Sequence, residues 1–142
     1  MIETAMPVRV QLETTIEQDG QKQSFKFDEQ GQLVSMNNSY YLRYSETGGQ
    51  GNVPVTFKFA EDHTVVLSRD GENRLRIIFN PDNEQETHYR TAYGMMKLMV
   101  KTNRLLSDLD LITGNGKIVV DYELHGQDQL IGKYQIRLQF NG

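Results

Sequence analysis

No cysteine occurs in the 142 residues. That excludes disulfide staples, thiolate nucleophiles and a Cys-ligated zinc, and it makes a reducing compartment, the cytoplasm, the expected location. Long apolar runs are missing as well. The opening residues, MIETAMPVRVQL, carry Glu3 and Arg9 where a signal peptide needs an unbroken apolar stretch of about 7 to 15 residues, and nowhere do about 18 apolar residues follow one another as a membrane helix requires. The chain therefore reads as soluble and unexported, with no membrane partner. Basic residues are the minority: 15 Lys and Arg stand against 19 Asp and Glu, a formal charge of −4. Binding to a phosphate backbone depends on clustered cations that release counterions, so nucleic acid is not an expected partner.

Alanine, the best helix former, is also scarce. Only 3 alanines stand against 10 valines, 8 isoleucines and 10 threonines, a balance that disfavours helices and suits pleated, half-buried strands. One domain spanning residues 1–142 is expected, since a chain of this length removes about two-thirds of its unfolded surface from water and so holds a core unaided.

What is present is alternation. From Val8 to Ile16 the even positions (Val8, Val10, Leu12, Thr14, Ile16) are apolar or β-branched, and Arg9, Gln11, Glu13 and Thr15 between them are polar. Tyr134, Ile136, Leu138 and Phe140 alternate with Lys133, Gln135, Arg137 and Gln139 in the same way. The pattern recurs in between, at Tyr40, Leu42 and Tyr44, at Val53, Val55, Phe57 and Phe59, at Leu75, Ile77 and Phe79, and at Ile118, Val120, Tyr122 and Leu124. Turn residues punctuate the runs at Asp19-Gly20, Asn37-Asn38, Asp62-His63, Asp70-Gly71, Asn80-Pro81-Asp82-Asn83, Gly114-Asn115-Gly116 and Gly126-Gln127-Asp128. Period two with one polar face specifies consecutive antiparallel hairpins. The expected fold is all-β: one antiparallel closed barrel of about 8 to 10 strands, in which closure removes exposed edges and the two cleanest strands, first and last, lie side by side.

Met95 to Leu109 fits both periods, because Met95, Leu98, Met99, Leu105, Leu106 and Leu109 also satisfy helical spacing. The alternation of Met96, Leu98 and Val100 with Lys97, Met99 and Lys101 favours two strands with a bulge at Thr102-Asn103. For Thr87 to Tyr93, one register buries Tyr89, Thr91 and Tyr93 and the other buries His88 and Arg90; the first is preferred because it buries no charge. Ser45 to Asn52, with three glycines, reads as a mobile loop at one barrel mouth.

No constellation of residues carries catalysis. Gly49-Gln50-Gly51 leads into a strand, whereas a phosphate-binding loop needs a helix N-terminus behind it. Glu61-Asp62-His63 holds metal-ligating groups in a tight turn where neighbouring side chains diverge, and Asp108 and Asp110 share a face that reads as solvated. His63, His88 and His125 lack HxxxH and HExxH spacing, and no G-x-S-x-G elbow presents a serine. The residues assign no enzymatic activity, no metal and no cofactor.

The interior is the better place for a function, since a barrel of this size holds either side chains alone or one small ligand. The inward phase carries Tyr40, Tyr44, Tyr122 and Tyr134, whose hydroxyls need partners once buried; a ligand, backbone groups or ordered water would each serve. Arg69 is in phase with Val65 and Leu67, aimed inward near a strand end to clamp a carboxylate, unless it lies past the last ladder bond in solvent. Tyr44, Arg69, Tyr122 and Tyr134 are the candidate ligand-binding residues.

Tyr41-Leu42-Arg43-Tyr44-Ser45-Glu46, Arg69-Asp70-Gly71, Tyr89-Arg90-Thr91 with Tyr93-Gly94, and Ser107-Asp108-Leu109-Asp110 leading to Gly116-Lys117-Ile118 and Tyr122 form a set of local motifs. Together they resemble the YwiB-like family of small uncharacterised proteins of Gram-positive bacteria. The resemblance implies a calycin-type barrel akin to lipocalins, with no established activity and no catalytic residues to carry over. Two functions are expected from this: a barrel that binds a small apolar or amphipathic ligand in its interior, or a filled barrel that meets a protein partner with its outer face.

Overall fold

Because side chains along a strand point alternately to opposite faces, ten amphipathic strands can bury their apolar stripes only by curling around one another. The computed structural model, which describes residues 4–48, 51–71, 74–91 and 93–142, shows this arrangement. The strands are β1 (Thr4–Gln18), β2 (Gln21–Met36), β3 (Ser39–Gly48), β4 (Gly51–Phe59), β5 (Val65–Asp70), β6 (Arg74–Phe79), β7 (Gln85–Thr91), β8 (Gly94–Asp110), β9 (Asn115–Gly126) and β10 (Gln129–Asn141). They form one antiparallel sheet in the order β6-β5-β4-β3-β2-β1-β10-β9-β8-β7. Every ladder but one joins consecutive strands, and that one pairs the first with the last, setting Val10 opposite Phe140 and Leu12 opposite Leu138.

The ring of ladders has a single seam. β6 and β7 lie beside each other without a ladder, and the Thr87 hydroxyl on β7 donates to the Arg76 carbonyl on β6. The barrel is thus closed by packing and a side-chain hydrogen bond where the expectation was a continuous ladder. The turn chemistry is as anticipated at three hairpins, where Asp19-Gly20, Asn37-Asn38 and Gln127-Asp128 hold paired left-handed dihedrals, the backbone twist that matches the strands it joins. Ser45 to Asn52 departs from expectation. The β3–β4 ladder continues through Thr47 opposite Asn52 to Gly48 opposite Gly51, so Ser45 to Gly48 and Gly51 to Asn52 are strand; Gly49 and Gln50 lie outside the described residues.

The core is the inner face. Val10, Leu42, Val55, Phe57, Ile77, Phe79, Val120 and Phe140 are essentially inaccessible. One end is filled from wall to wall: Phe59 of β4 stacks on Phe140 of β10, centroids 5.9 Å apart. Gly116, opposite Phe140, leaves the space this ring occupies, since a Cβ there would stand 2.4 Å from the Phe140 ring.

Met95 to Leu109 is a strand throughout. β8 runs unbroken from Gly94 to Asp110, with a register shift between Thr102 and Arg104, where a bulge was expected. One extra residue reverses which parity faces inward: Leu98, Val100 and Thr102 are buried before it, and Leu105 and Leu109 pack against the core after it. In β7, Thr87 is buried and Tyr89 packs on the core while His88 and Arg90 are exposed, the preferred register. Tyr93 corrects part of that expectation. It is fully exposed because it sits in the turn beyond the end of β7, where strand phase no longer applies.

The outer face carries an apolar row that alternation alone does not reveal. Val34, Tyr41, Lys58, Val66 and Ile78 stand opposite one another across β2 to β6. Val34 is only 2% exposed yet lies outside the main core. The Tyr41 ring is flanked by the Arg43 guanidinium at 5.5 Å and the Lys58 ammonium at 5.8 Å, so long cationic stems cover this strip.

Candidate functional site

The hairpins β1–β2, β3–β4, β5–β6, β7–β8 and β9–β10 all turn at one end of the barrel, opposite the aromatic plug, and make its mouth. Strand phase carries polar side chains into the interior there. Arg69 lies within the ladder, opposite Val55 and Leu75; its side chain is 34% exposed, at the rim. Glu46, two residues beyond Tyr44 along the same inward phase, is 3% exposed. These three form one network: the Tyr44 hydroxyl donates to Glu46 Oε2 at 2.9 Å and Arg69 Nη2 pairs with Glu46 Oε1. The guanidinium therefore has a carboxylate partner from its own chain, and the pair is neutral.

Tyr122 and Tyr134 line the adjoining wall. Opposite each other on β9 and β10, their rings stack 5.0 Å apart at 13°, and Tyr122 also meets Phe79 at 4.8 Å. The Tyr134 hydroxyl accepts from Gln18 Nε2 at 2.9 Å. Burial raises the Tyr44 and Tyr122 hydroxyls well above the usual tyrosine value, with Arg69 opposing the rise in both. Tyr134 is also raised, chiefly by burial, with the Gln18 hydrogen bond acting against it. All three present neutral phenols at physiological pH. On the other side of Tyr122, Thr102 of β8 stands opposite it in register. Thr102 Oγ1 is buried and has no hydrogen-bond partner among the described residues, a state that costs about 1 to 3 kcal/mol if nothing fills it.

All four predicted residues, Tyr44, Arg69, Tyr122 and Tyr134, face this one region of the interior. Sequence reasoning missed Glu46 and Thr102, although both were within reach of it. Glu46 continues the run Tyr40, Leu42, Tyr44, and Thr102 continues Leu98 and Val100.

The remaining candidates stay apart. Asp62 Oδ1 accepts from the backbone and hydroxyl of Thr64, contacts that hold its carboxyl below the usual range. Asp108 stands opposite Lys117, and Asp110 Oδ1 caps its turn through the amides of Ile112 and Thr113. Among the described residues no three metal-ligating side chains gather. A concavity of about 990 Å³ lies between the β7–β8 and β9–β10 hairpins, lined in part by Met95, Met96, Met99, Ile131, Lys97 and Lys101.

Residues 10–138 match the family model described as "Domain of unknown function (DUF1934)". Over 136 residues the chain is 25% identical to the "Uncharacterized beta-barrel protein YwiB" of Bacillus subtilis (strain 168), covering 96% of this chain and 94% of that protein. The crystal structure of ywiB protein from Bacillus subtilis superposes with a TM-score of 0.81 at 23% identity, over 97% of this chain and 92% of the other. The resemblance read from the strand and turn motifs holds, and so does the antiparallel β-barrel.

Proposed function

Since the chain belongs to the DUF1934 family, whose description assigns no activity, we propose from its own geometry that the barrel binds a small amphipathic molecule in its mouth. The observation that carries this reading is the buried Thr102 hydroxyl, without a hydrogen-bond partner among the described residues, beside Tyr122 on an inner face that continues to the rim at Arg69. A buried hydroxyl without a partner is unfavourable, and a ligand's polar group would relieve it. The aromatic plug limits the depth of the site, so a short apolar body suits it better than a long chain.

The head group follows from charge. Arg69 is already neutralised by Glu46, and a ligand carboxylate would bring a second negative charge beside a buried one. The ligand we assign is therefore uncharged at its polar end. This departs from the carboxylate clamp that Arg69 alone implied. The likeness to lipocalins and a cytoplasmic location, in keeping with a chain that has no cysteine, belong to the same proposal.

Titration of a fluorescent medium-chain alcohol and the matching fatty acid into the wild type and Thr102→Val tests it. The alcohol should bind at micromolar concentration and more tightly than the acid. Loss of one hydrogen bond in Thr102→Val should weaken the alcohol by about three- to tenfold. If neither probe binds, the second reading, a filled barrel that meets a protein partner, takes its place. That reading draws on the methionine-lined groove between the β7–β8 and β9–β10 hairpins, since methionine-rich surfaces adapt to varied partners.

A further inference from the structure

β2 is paired along one side only for much of its length. Its ladder with β1 runs from Gln18 opposite Gln21 to Thr4 opposite Ser35, whereas its ladder with β3 covers only Gly31 to Met36. The strands part at Gly31, where a Cβ would stand 2.7 Å from the Arg43 carbonyl oxygen, a closeness only glycine permits. Just above, the Thr47 hydroxyl donates to Glu29 Oε1 at 2.7 Å and marks the base of the opening. Beyond it, Gln21 to Asp28 present an edge that faces away from β1 and pairs with no strand among the described residues. Phe25 within that edge is 46% exposed on the inner-phase face. An edge of this length is ordinarily shortened, charged or covered.

We propose that this edge pairs with the same edge of a second copy of the chain, antiparallel and about a two-fold axis at Phe25. The charges select the register. With Phe25 opposite the partner's Phe25, Lys22 meets the partner's Asp28, Lys26 meets the partner's Ser24, and Gln23 meets the partner's Phe27. A slip of two residues one way sets Lys26 against the partner's Lys26; the other way it sets Lys22 against the partner's Lys26. A slip of one would turn the phenylalanines to the wrong face. The centred register alone pairs opposite charges twice and stacks the exposed aromatic on its copy. Arg9 takes both Asp28 carboxylate oxygens from the β1 side and Glu13 stands 3.7 Å from Lys26, so these side-chain contacts leave the backbone edge itself unladdered and the partner's Lys22 joins Arg9 at the Asp28 carboxylate. Two-fold pairing is isologous and closed, which ends the association at the dimer.

Sedimentation equilibrium of the wild type, Lys22→Glu, Asp28→Lys and the double variant tests the proposal. Both substituted side chains are exposed, and a thermal melt confirms that each variant folds. The wild type should be a dimer at tens of micromolar. Each single variant should weaken dimerisation by about tenfold, because it replaces two attractive pairs with two repulsive ones, and the double variant should regain the wild-type constant. A wild type that stays monomeric, single variants that leave the constant unchanged, or a double variant as weak as the singles overturns the inference.

Discussion

Arg69 on β5 reaches past β4 to neutralise Glu46 on β3, so the more exposed partner is the one on which the buried charge depends. The account predicts an asymmetry. Arg69→Ala leaves a carboxylate at 3% exposure without its cation and should cost about 3 to 5 kcal/mol, whereas Glu46→Ala leaves a partly hydrated guanidinium and should cost about 1 to 3. The double variant should cost less than the sum. Urea unfolding of the three variants gives these values, and a larger loss for Glu46→Ala would show that the trapped charge has been misassigned.

Alkaline stability should report the buried tyrosines. Burial raises the Tyr44 and Tyr122 hydroxyls above the usual value of 10.0 in the folded protein. Below pH 10 both folded and unfolded chains keep these protons, so the contribution is complete. As pH rises above 10 the unfolded chain ionises first and the contribution is lost. The unfolding temperature should therefore fall more steeply above pH 10 for the wild type than for Tyr44→Phe or Tyr122→Phe. Identical slopes would contradict the burial of these hydroxyls.

Register is tested on β10. Leu138 is 2% exposed and stands opposite Leu12 and Ile118, while Arg137 points outward. Leu138→Ala should cost about 2 to 5 kcal/mol and Arg137→Ala under about 0.5. Thermal unfolding resolves the difference, and equal losses would place the inner face on the wrong parity.

The β8 bulge makes a sharper test. Deleting Asn103 would remove the extra residue and turn either Leu105 and Leu109 or Leu98 and Val100 outward, so the variant should fail to give a cooperative melt. Asn103→Ala keeps the register and loses only the hydrogen bond to Glu123 Oε2, at about 1 kcal/mol. A cooperative melt for the deletion would mean that the bulge does not set the phase.

Strand positions and faces were legible because alternation and turn chemistry are local. The same rule extended by one step reaches Glu46 from Tyr44, and Thr102 from Val100. What it could not reach was non-local. Nothing in the residues says that β6 and β7 would meet without a ladder, that Arg69 would find Glu46 two strands away, or that β3 would part from β2 at Gly31. The outer row of Val34, Tyr41 and Val66 was hidden for the opposite reason, since strand phase assigns those positions to solvent and cross-strand neighbours alone cover them.

The claim that the mouth is a binding site is tested most directly by backbone amide chemical shifts of isotope-labelled protein during titration with a medium-chain alcohol. Saturable shifts should concentrate at Tyr44, Glu46, Arg69, Thr102, Tyr122 and Tyr134, with the outer face of β1 and β10 unmoved. No shift at these positions, or shifts confined to the outer surface around Met99 and Lys101, would contradict it.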